Sequence, residues 1–218
     1  MKKMLEPKKG RLTFRAEGNN IKSSRDYSKI IHWPGNSLSC WKDHSGVTIG
    51  RGFDLGDRNQ TSVLITLKKA GIENKKAEAI SKCAKKKGCL AYNFVLENRE
   101  SIEEITDIQQ LRLFEITYKE LEKDVERISK LHKNIRDYHS NPYTLPDLAW
   151  ENIPDKIKEV LIDLRYQGDY TPQVRELIQK MAYDGDIEGF GKAISNRSFW
   201  IKVPNDRFNR RVEYYEKN

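Results

Sequence analysis

One short stretch, residues 45–56, constrains the fold of this chain more than any other. Its sequence is SGVTIGRGFDLG, in which four glycines separate apolar or β-favouring residues. This spacing predicts a short strand, a glycine turn and a returning strand. Because side chains alternate along a strand, Thr48 points away from Val47 and Ile49. The Thr48 hydroxyl then lies beside glycines that let a ligand approach, and Asp54 follows six positions later.

The glycines of this stretch do not fit a nucleotide-binding motif. Gly50-x-Gly52 is followed by Gly56, whereas the dinucleotide fingerprint requires a glycine at position 55, and no phosphate-loop lysine follows. The alternative interpretation is a plain glycine-rich hairpin that carries one exposed aspartate.

An acidic residue upstream supplies a candidate general acid. Glu17 closes the segment RLTFRAE and is followed by Gly18, a usual signal for a helix C-terminus. We therefore expect Glu17 in the last turn of a short helix over residues 5–17. There the negative end of the helix dipole raises the pKa of the carboxyl group, as a general acid near neutral pH requires.

Glu17, Thr48 and Asp54 together resemble the active site of phage-type lysozymes. The resemblance is closest to the pesticin-like bacterial muramidases, which carry a Glu, then a Thr, then an Asp six residues later. Two segments near the C-terminus extend it. Residues 160–168 are similar to the buried helix of the family's C-terminal lobe, and residues 199–211 to its closing aromatic residues and last helix.

Two features depart from the family pattern. The interval between Glu17 and Thr48 is longer than expected, with residues 22–38 as the insertion. A second acid, Asp43, precedes Thr48 much as the acid of the phage enzymes does, although theirs is usually one residue further away. Asp43 is therefore the runner-up to Asp54 for the role of second carboxylate.

The resemblance implies an α+β, lysozyme-like fold with two lobes in one catalytic domain, residues 1–218. A small β-hairpin lobe would cover about residues 18–58, and a helical lobe about residues 59–218, with the helix over residues 5–17 packed on it. Short strands early and helical periodicity later independently predict the α+β class. The longest amphipathic pattern, over residues 107–132, predicts a helix long enough to join the lobes.

Other segments carry simpler patterns. The loop-rich segment 22–41 leads to a short strand near residues 39–42, and residues 139–152 form a loop by composition. Helical spacing and capping residues predict further helices over residues 61–70, 75–86, 156–166, 172–183, 187–195 and 207–215.

For the activity, the resemblance implies a muramidase. Glu17 would protonate the oxygen that links N-acetylmuramic acid to N-acetylglucosamine. Asp54 would polarise a water molecule or stabilise oxocarbenium charge, and Thr48 would orient that water. The phage relatives invert the anomeric centre, which favours inversion here as well.

Three further residues are candidate substrate contacts. Trp33 and Trp41 could stack on sugar rings, with plain packing as the alternative for each. Arg51, which we expect to be exposed between two glycines, could contact a substrate carboxylate or pair with Asp54.

Composition limits the partners and cofactors. The net charge of +8 and a pI near 9.2 favour binding to a polyanion. Without a zinc-finger, homeodomain or RNA-recognition signature we expect cell wall rather than nucleic acid. An odd number of cysteines argues against a disulfide framework, although Cys83 and Cys89 could pair if the chain folds back. The histidines show no metal-ligand spacing, so we expect no metal and no other cofactor.

The expected location is the periplasm of target bacteria. Met1-Lys2-Lys3 resembles the start of a signal peptide, but residues 5–9 lack an apolar core, and no stretch is apolar enough to span a membrane. We therefore expect a monomer, delivered by a secretion carrier or by lysis as a bacteriolytic toxin, effector or endolysin, with a cognate immunity protein as a further partner. The alternatives are a lytic transglycosylase, which needs one Glu, and a non-catalytic module that binds cell wall or nucleic acid.

Overall fold

The computed structural model describes residues 5–24 and 27–217. The signal-like start, Met1-Lys2-Lys3, and two residues of the expected insertion lie outside the described residues. Helices dominate the described chain, and its strands form one two-stranded antiparallel sheet. The predicted α+β class is therefore confirmed. Of the described helices, none combines the length and the apolar character that crossing a bilayer requires.

By packing, the chain divides into two compact units. The first comprises Met1–Pro7 and Glu17–Thr117, and the second comprises Lys8–Ala16 and Tyr118–Asn218. The predicted hairpin lobe, residues 18–58, lies entirely within the first unit.

The first unit is built around the glycine-rich hairpin. Val47, Ile49, Phe53 and Leu55 are fully or almost fully buried and belong to one apolar cluster with residues of the surrounding helices. The unit contains a 3₁₀ helix (Ser37–Lys42), β1 (Thr48–Ile49), β2 (Phe53–Asp54), α2 (Gln60–Lys69), α3 (Asn74–Ser81), α4 (Gly88–Ile102) and the first part of α5 (Asp107–Ser129).

The second unit is helical. Its elements are α1 (Arg11–Ala16), the remainder of α5, α6 (His132–Tyr138), α7 (Pro146–Glu151), α8 (Asp155–Tyr166), α9 (Pro172–Tyr183), α10 (Ile187–Ser195), a second 3₁₀ helix (Arg197–Trp200) and α11 (Asn205–Lys217). α8 contributes several buried residues to this unit, among them Val160, Leu161 and Leu164.

Buried polar groups of α8 fix α1 and α11 in the second unit. Thr13 Oγ1 donates to Asp163 Oδ1 at 3.0 Å, and Arg211 Nε donates to Asp163 Oδ2 at 3.1 Å. All three residues are at most 1% exposed. Burial raises the pKa of Asp163, and the Arg211 and Thr13 donors act against that shift. Breaking such a buried set on one side leaves a polar group unsatisfied, so the two helices are strongly positioned.

Several local predictions were wrong, each for a local reason. The helix expected over residues 5–17 begins only at Arg11, because Pro7 and Gly10 interrupt the segment and the first helical bond runs from Phe14 N to Gly10 O. The strand expected near residues 39–42 is a 3₁₀ helix, capped by the Asn36 side chain. The loop over residues 139–152 contains α7, with Pro146 at its first helical position.

The structure contains a disulfide, but not the Cys83–Cys89 pair that the sequence allowed. Cys40 and Cys89 form the disulfide, with Cα atoms 4.8 Å apart, and Cys83 is a buried free thiol. Gly88, at φ +54°, redirects the chain so that a new helix, α4, begins where the lysine-rich segment ends. A Cβ atom on Gly88 would overlap the carbonyl oxygens of Cys40 and Asp43. This close approach brings residue 89 to the 3₁₀ helix and not back towards Cys83.

Candidate functional site

The hairpin presents Thr48 and Asp54 side by side. The register pairs Thr48 with Asp54 and Ile49 with Phe53, and Leu55 N donates to Val47 O at 2.9 Å. Thr48 and Asp54 are therefore a non-hydrogen-bonded pair, the type in which opposing side chains lie closest, on the same face of the sheet.

A third side chain, that of His32, lies on the same face of the sheet as Thr48 and Asp54, although no sequence motif indicated it. His32 lies on the other side of Thr48, and the two residues exchange backbone hydrogen bonds of 2.8 and 2.9 Å as an antiparallel bridge. Its side chain therefore shares the face of Thr48 and Asp54. His32 Nδ1 lies 3.1 Å from Ile30 O. Because a carbonyl only accepts, Nδ1 is the donor in this contact.

The opposite face of the hairpin explains why the register that pairs Thr48 with Asp54 is fixed. Val47 and Ile49 point away from Thr48 into the apolar cluster and are completely buried. A shift of one residue in register would bury Asp54 and expose the core residues, so the pairing is strongly specified.

Arg51 fastens the segment that carries Glu17 to the hairpin turn. Its Nη1 donates to Gly18 O, and its Nη2 donates to Asn20 Oδ1 at 3.1 Å. On the other side its Nε donates to Gln110 Oε1 at 3.4 Å. The guanidinium thus connects the residue after Glu17, the turn between the strands and α5.

The expectation that Arg51 is exposed was wrong, because the side chain is 2% exposed. A buried guanidinium requires several acceptors, and Gly18 and Asn20 supply two of them from a segment remote in sequence. The cation that lies near Asp54 at the surface is Arg58. Its Nε donates to Asp54 O at 3.2 Å, and its guanidinium lies 4.5 Å from the centre of the Phe53 ring.

Glu17 lies at the helix end that the sequence indicated. It directly follows Ala16, the last residue of α1, and precedes Gly18 at φ +120°, a conformation that favours glycine. The residue is half-buried and its Oε1 is shielded from solvent. Because Arg51 binds the Gly18 carbonyl, the backbone next to this carboxylate is fixed relative to the hairpin.

The two aspartates that compete for the second-carboxylate role have related local geometry. Asp54 is exposed, and its Oδ1 accepts from Gly56 N at 2.7 Å. Asp43 Oδ1 accepts from Ser45 N at 2.7 Å, and that bond, with others from the Ser45 hydroxyl and the Asn36 amide, lowers the pKa of Asp43. Only Asp54 lies directly opposite Thr48, whereas Asp43 stabilises the loop that leads to β1.

The two tryptophans differ in their surroundings. Trp33 is partly buried against the apolar cluster, its Nε1 donates to Ser45 O at 3.0 Å, and its ring centre lies 5.4 Å from that of Tyr92. These contacts agree with the alternative in which Trp33 packs within the protein and does not stack on a sugar. Trp41 is 70% exposed and follows the disulfide-bonded Cys40, so its ring is accessible for stacking on a sugar.

The described residues do not form a recognisable metal site. Between residues 5–24 and 27–217 no three His, Cys, Asp or Glu side chains are grouped as metal ligands would be. The groups that the hairpin and its neighbour His32 present are a carboxylate, a hydroxyl and an imidazole, which can transfer protons and orient water.

The chain belongs to the family described as a domain of unknown function, DUF8812, whose model matches residues 10–212. The matched range includes Glu17, the whole hairpin and the first part of α11. A comparison with curated proteins found no match.

Proposed function

We propose that this chain is a peptidoglycan hydrolase with a lysozyme-like fold that cleaves the β-1,4 bond between N-acetylmuramic acid and N-acetylglucosamine. One observation carries the proposal. Thr48 lies directly opposite Asp54, and Arg51 fastens the segment that carries Glu17 to the turn of the same hairpin. The resemblance to pesticin-like muramidases supplies the substrate.

In this proposal Glu17 donates its proton to the glycosidic oxygen as the C1–O bond breaks. Positive charge develops on the sugar ring and is stabilised by the Asp54 carboxylate. Asp54 then accepts a proton from a water molecule that Thr48 orients, and the water oxygen bonds to C1. The half-buried Glu17 lies where a general acid is partly shielded from water. The exposed Asp54 lies where a substrate can reach it.

Asp54 is preferred over Asp43 for a geometric reason. A catalytic carboxylate needs lone pairs that are directed at the substrate. Asp43 accepts hydrogen bonds from Ser45 and Asn36 within its own loop. Asp54 uses one oxygen for Gly56 and lies across from Thr48, which supports a role for it in activating the proposed water.

The disulfide supports action outside a reducing cytosol. Cys40–Cys89 links the 3₁₀ helix to the start of α4, and disulfides persist in oxidising compartments such as the periplasm. This agrees with a bacteriolytic toxin, effector or endolysin that reaches the wall after secretion or lysis. A cognate immunity protein is a proposed partner for the toxin case.

Digestion of purified peptidoglycan tests the proposal. Wild type, Glu17→Gln, Asp54→Asn and Asp43→Asn are each incubated with wall, and the products are reduced with borohydride and weighed by mass spectrometry. We expect reducible muramic ends from wild type, and about 10²–10⁴-fold lower rates from Glu17→Gln and Asp54→Asn. Asp43→Asn should retain most activity, apart from what it loses in stability.

The controls separate the alternative functions. Circular dichroism must show that each variant is folded. Anhydro-muropeptides, with activity retained in Asp54→Asn, would indicate a lytic transglycosylase. If none of the four proteins cleaves the wall but binding to the wall is preserved, the result would contradict the proposal of an enzyme and support a binding module.

A further inference from the structure

Three large apolar side chains lie exposed beside the disulfide of the first unit. Leu38 is 82% exposed, Trp41 70% and Leu90 65%. Leu38 and Trp41 belong to the 3₁₀ helix that precedes the hairpin, and Leu90 belongs to the first turn of α4. A surface that exposes several large apolar side chains close together marks an interaction site. The proposed hydrolase chemistry requires neither leucine.

The Cys40–Cys89 disulfide brings these side chains to one place. Trp41 directly follows Cys40 in the chain, and Leu90 directly follows Cys89. The cysteine Cα atoms are 4.8 Å apart and consecutive Cα atoms are about 3.8 Å apart, so the Cα atoms of Trp41 and Leu90 lie within about 12 Å of each other. We call Leu38, Trp41 and Leu90 the apolar patch. Because the covalent bond holds its two elements together, the patch loses little entropy when a partner binds.

Lysine is the only charged residue in the two segments that carry the apolar patch. Residues 36–42 and 79–96 contain no aspartate and no glutamate. Their lysines are Lys42, Lys82, Lys85, Lys86 and Lys87. Lys42 directly follows Trp41, and the other four lie in the turn that leads into α4. The apolar patch is therefore accompanied by positive charge along both of its segments.

Only part of this charge is neutralised by the protein. Lys85 Nζ donates to the carbonyl oxygen of Asp57 at 2.8 Å, and Lys87 Nζ pairs with the Asp57 carboxylate at 2.6 Å. In the described part of the chain, neither Lys42 nor Lys86 forms an ion pair. Their ammonium groups are accordingly available to an anionic partner.

The combination of side chains favours one class of partner, an anionic bilayer. Protein surfaces that bind such bilayers place Trp and Leu at the boundary of headgroups and acyl chains, and Lys beside the lipid phosphates. The apolar stems of lysine let the ammonium group reach a phosphate while neighbouring side chains enter the apolar layer. The cores of protein interfaces are instead depleted in Lys, and leucine offers no flat ring to a sugar. Two facing copies of the patch would bring like charges together.

We propose that the apolar patch and its lysines bind the surface of an anionic lipid bilayer. The three apolar side chains lie at the headgroup boundary, and Lys42 and Lys86 contact the lipid phosphates. The proposal goes beyond the hydrolase function, because a bilayer is not the substrate of that reaction and neither Glu17 nor Asp54 takes part. Such binding would hold the protein at the membrane face of a cell wall.

Cosedimentation with lipid vesicles tests the apolar contribution. The probes are vesicles of phosphatidylglycerol mixed with phosphatidylcholine, and vesicles of phosphatidylcholine alone as the neutral comparison. Leu38→Ser/Trp41→Ser removes one leucine and one aromatic residue from the patch. Tyr143→Ser/Leu145→Ser is the matched control, because it removes the same two kinds of side chain from the second unit, where both are exposed.

A second pair of variants tests the charge. Lys42→Gln/Lys86→Gln removes the two lysines beside the patch that have no ion pair. Lys119→Gln/Lys123→Gln removes two exposed lysines of α5 and has the same net charge. Tryptophan fluorescence is recorded with each vesicle type, and Trp41→Phe keeps an aromatic ring at the patch but removes its indole signal.

We expect wild type to bind the anionic vesicles and to shift its tryptophan emission to the blue as Trp41 leaves water. Leu38→Ser/Trp41→Ser and Lys42→Gln/Lys86→Gln should each bind at least about tenfold more weakly. The two matched controls should stay close to wild type. Trp41→Phe should bind without the emission shift.

Several results would overturn the proposal. Absence of binding to anionic vesicles is the first, and equal weakening by the patch lysine variant and its matched control, a general charge effect, is the second. An emission shift that persists in Trp41→Phe would place another tryptophan at the bilayer. A shift caused by soluble peptidoglycan fragments and not by vesicles would identify Trp41 as a sugar contact. Self-association that Leu38→Ser/Trp41→Ser abolishes, without vesicle binding, would identify a contact between copies of the chain.

These readouts remain decisive if one variant is unstable. Circular dichroism establishes which variants are folded, and if Leu38→Ser/Trp41→Ser is not, the lysine pair and Trp41→Phe decide by the same criteria. None of the measurements depends on wall cleavage, so a failure of the bilayer site is distinct from a failure of the proposed hydrolase.

Discussion

Gly46 positions Asp54 by having no side chain. A Cβ atom at this residue would overlap Asp54 Oδ1 and the backbone of Gly56. The carboxylate therefore occupies the space that any other residue at position 46 would fill, and the hydrogen bond from Gly56 N to Asp54 Oδ1 holds it there.

Gly46→Ala should consequently displace the Asp54 carboxylate. We expect about a tenfold or greater loss of peptidoglycan hydrolysis and about 1–3 kcal/mol lower stability from the steric overlap. The measurement is the cleavage rate together with urea denaturation. In the Asp54→Asn background, the same change should cost little further activity, since the group it displaces is already disabled. Fully additive losses of activity in the double variant would contradict this link.

At the scale of single residues, the site could be predicted where local periodicity determines it. Thr48 and Asp54 share a face because a strand alternates with period two and a short turn fixes the register. The burial of Arg51 could not be predicted, because its acceptors at Gly18, Asn20 and Gln110 are distant in sequence. The position of His32 could not be predicted for the same reason, because only a long-range backbone bridge brings it beside Thr48.

Between elements, the disulfide constrains the loop that leads into the hairpin. Cys40–Cys89 closes a loop with a sequence separation of 49 residues. Backbone bonds continue this connection, because Gly88 N donates to Ser45 O at 3.0 Å and Lys87 bridges to Gly46. The disulfide therefore ties α4 to the segment just before Thr48.

Removing this bridge should destabilise the first unit substantially. For a loop of this length the chain-entropy model gives about 4 kcal/mol, so Cys40→Ser/Cys89→Ser should lower the free energy of unfolding by roughly that amount. Urea denaturation with and without a reductant measures it. The reductant should destabilise wild type and leave the double variant unchanged. Equal stability of the oxidised and reduced wild type would contradict the prediction.

The helices show why the sequence predicted some elements and not others. α5 and α8 have long amphipathic patterns, and such patterns dominate local propensity. α4 begins within a segment of lysines and glycine, and its start depends on the positive φ of Gly88 and on contacts with Cys40 and Asp43. Those contacts are tertiary, so no local sequence pattern indicates them. For the same reason the sequence predicted neither α4 nor the Cys40–Cys89 pairing.

For the whole molecule, the net charge of +8 favours association with an anionic wall. Exposed charges act over about 8 Å at physiological ionic strength, so this attraction weakens as salt is added. The net charge helps to keep the protein bound to the wall, whereas the proposed cleavage step depends on the carboxylates of Glu17 and Asp54. Salt should therefore affect binding more than it affects the chemistry of bound enzyme.

Cosedimentation of the Glu17→Gln variant with purified wall separates these two effects, because the wall stays intact. We expect the bound fraction to fall several-fold between about 50 and 300 mM salt as screening increases. A wall from which anionic phosphate polymers have been extracted should bind less and show a weaker salt dependence. Salt-independent binding would show that contacts other than net charge hold the protein on the wall.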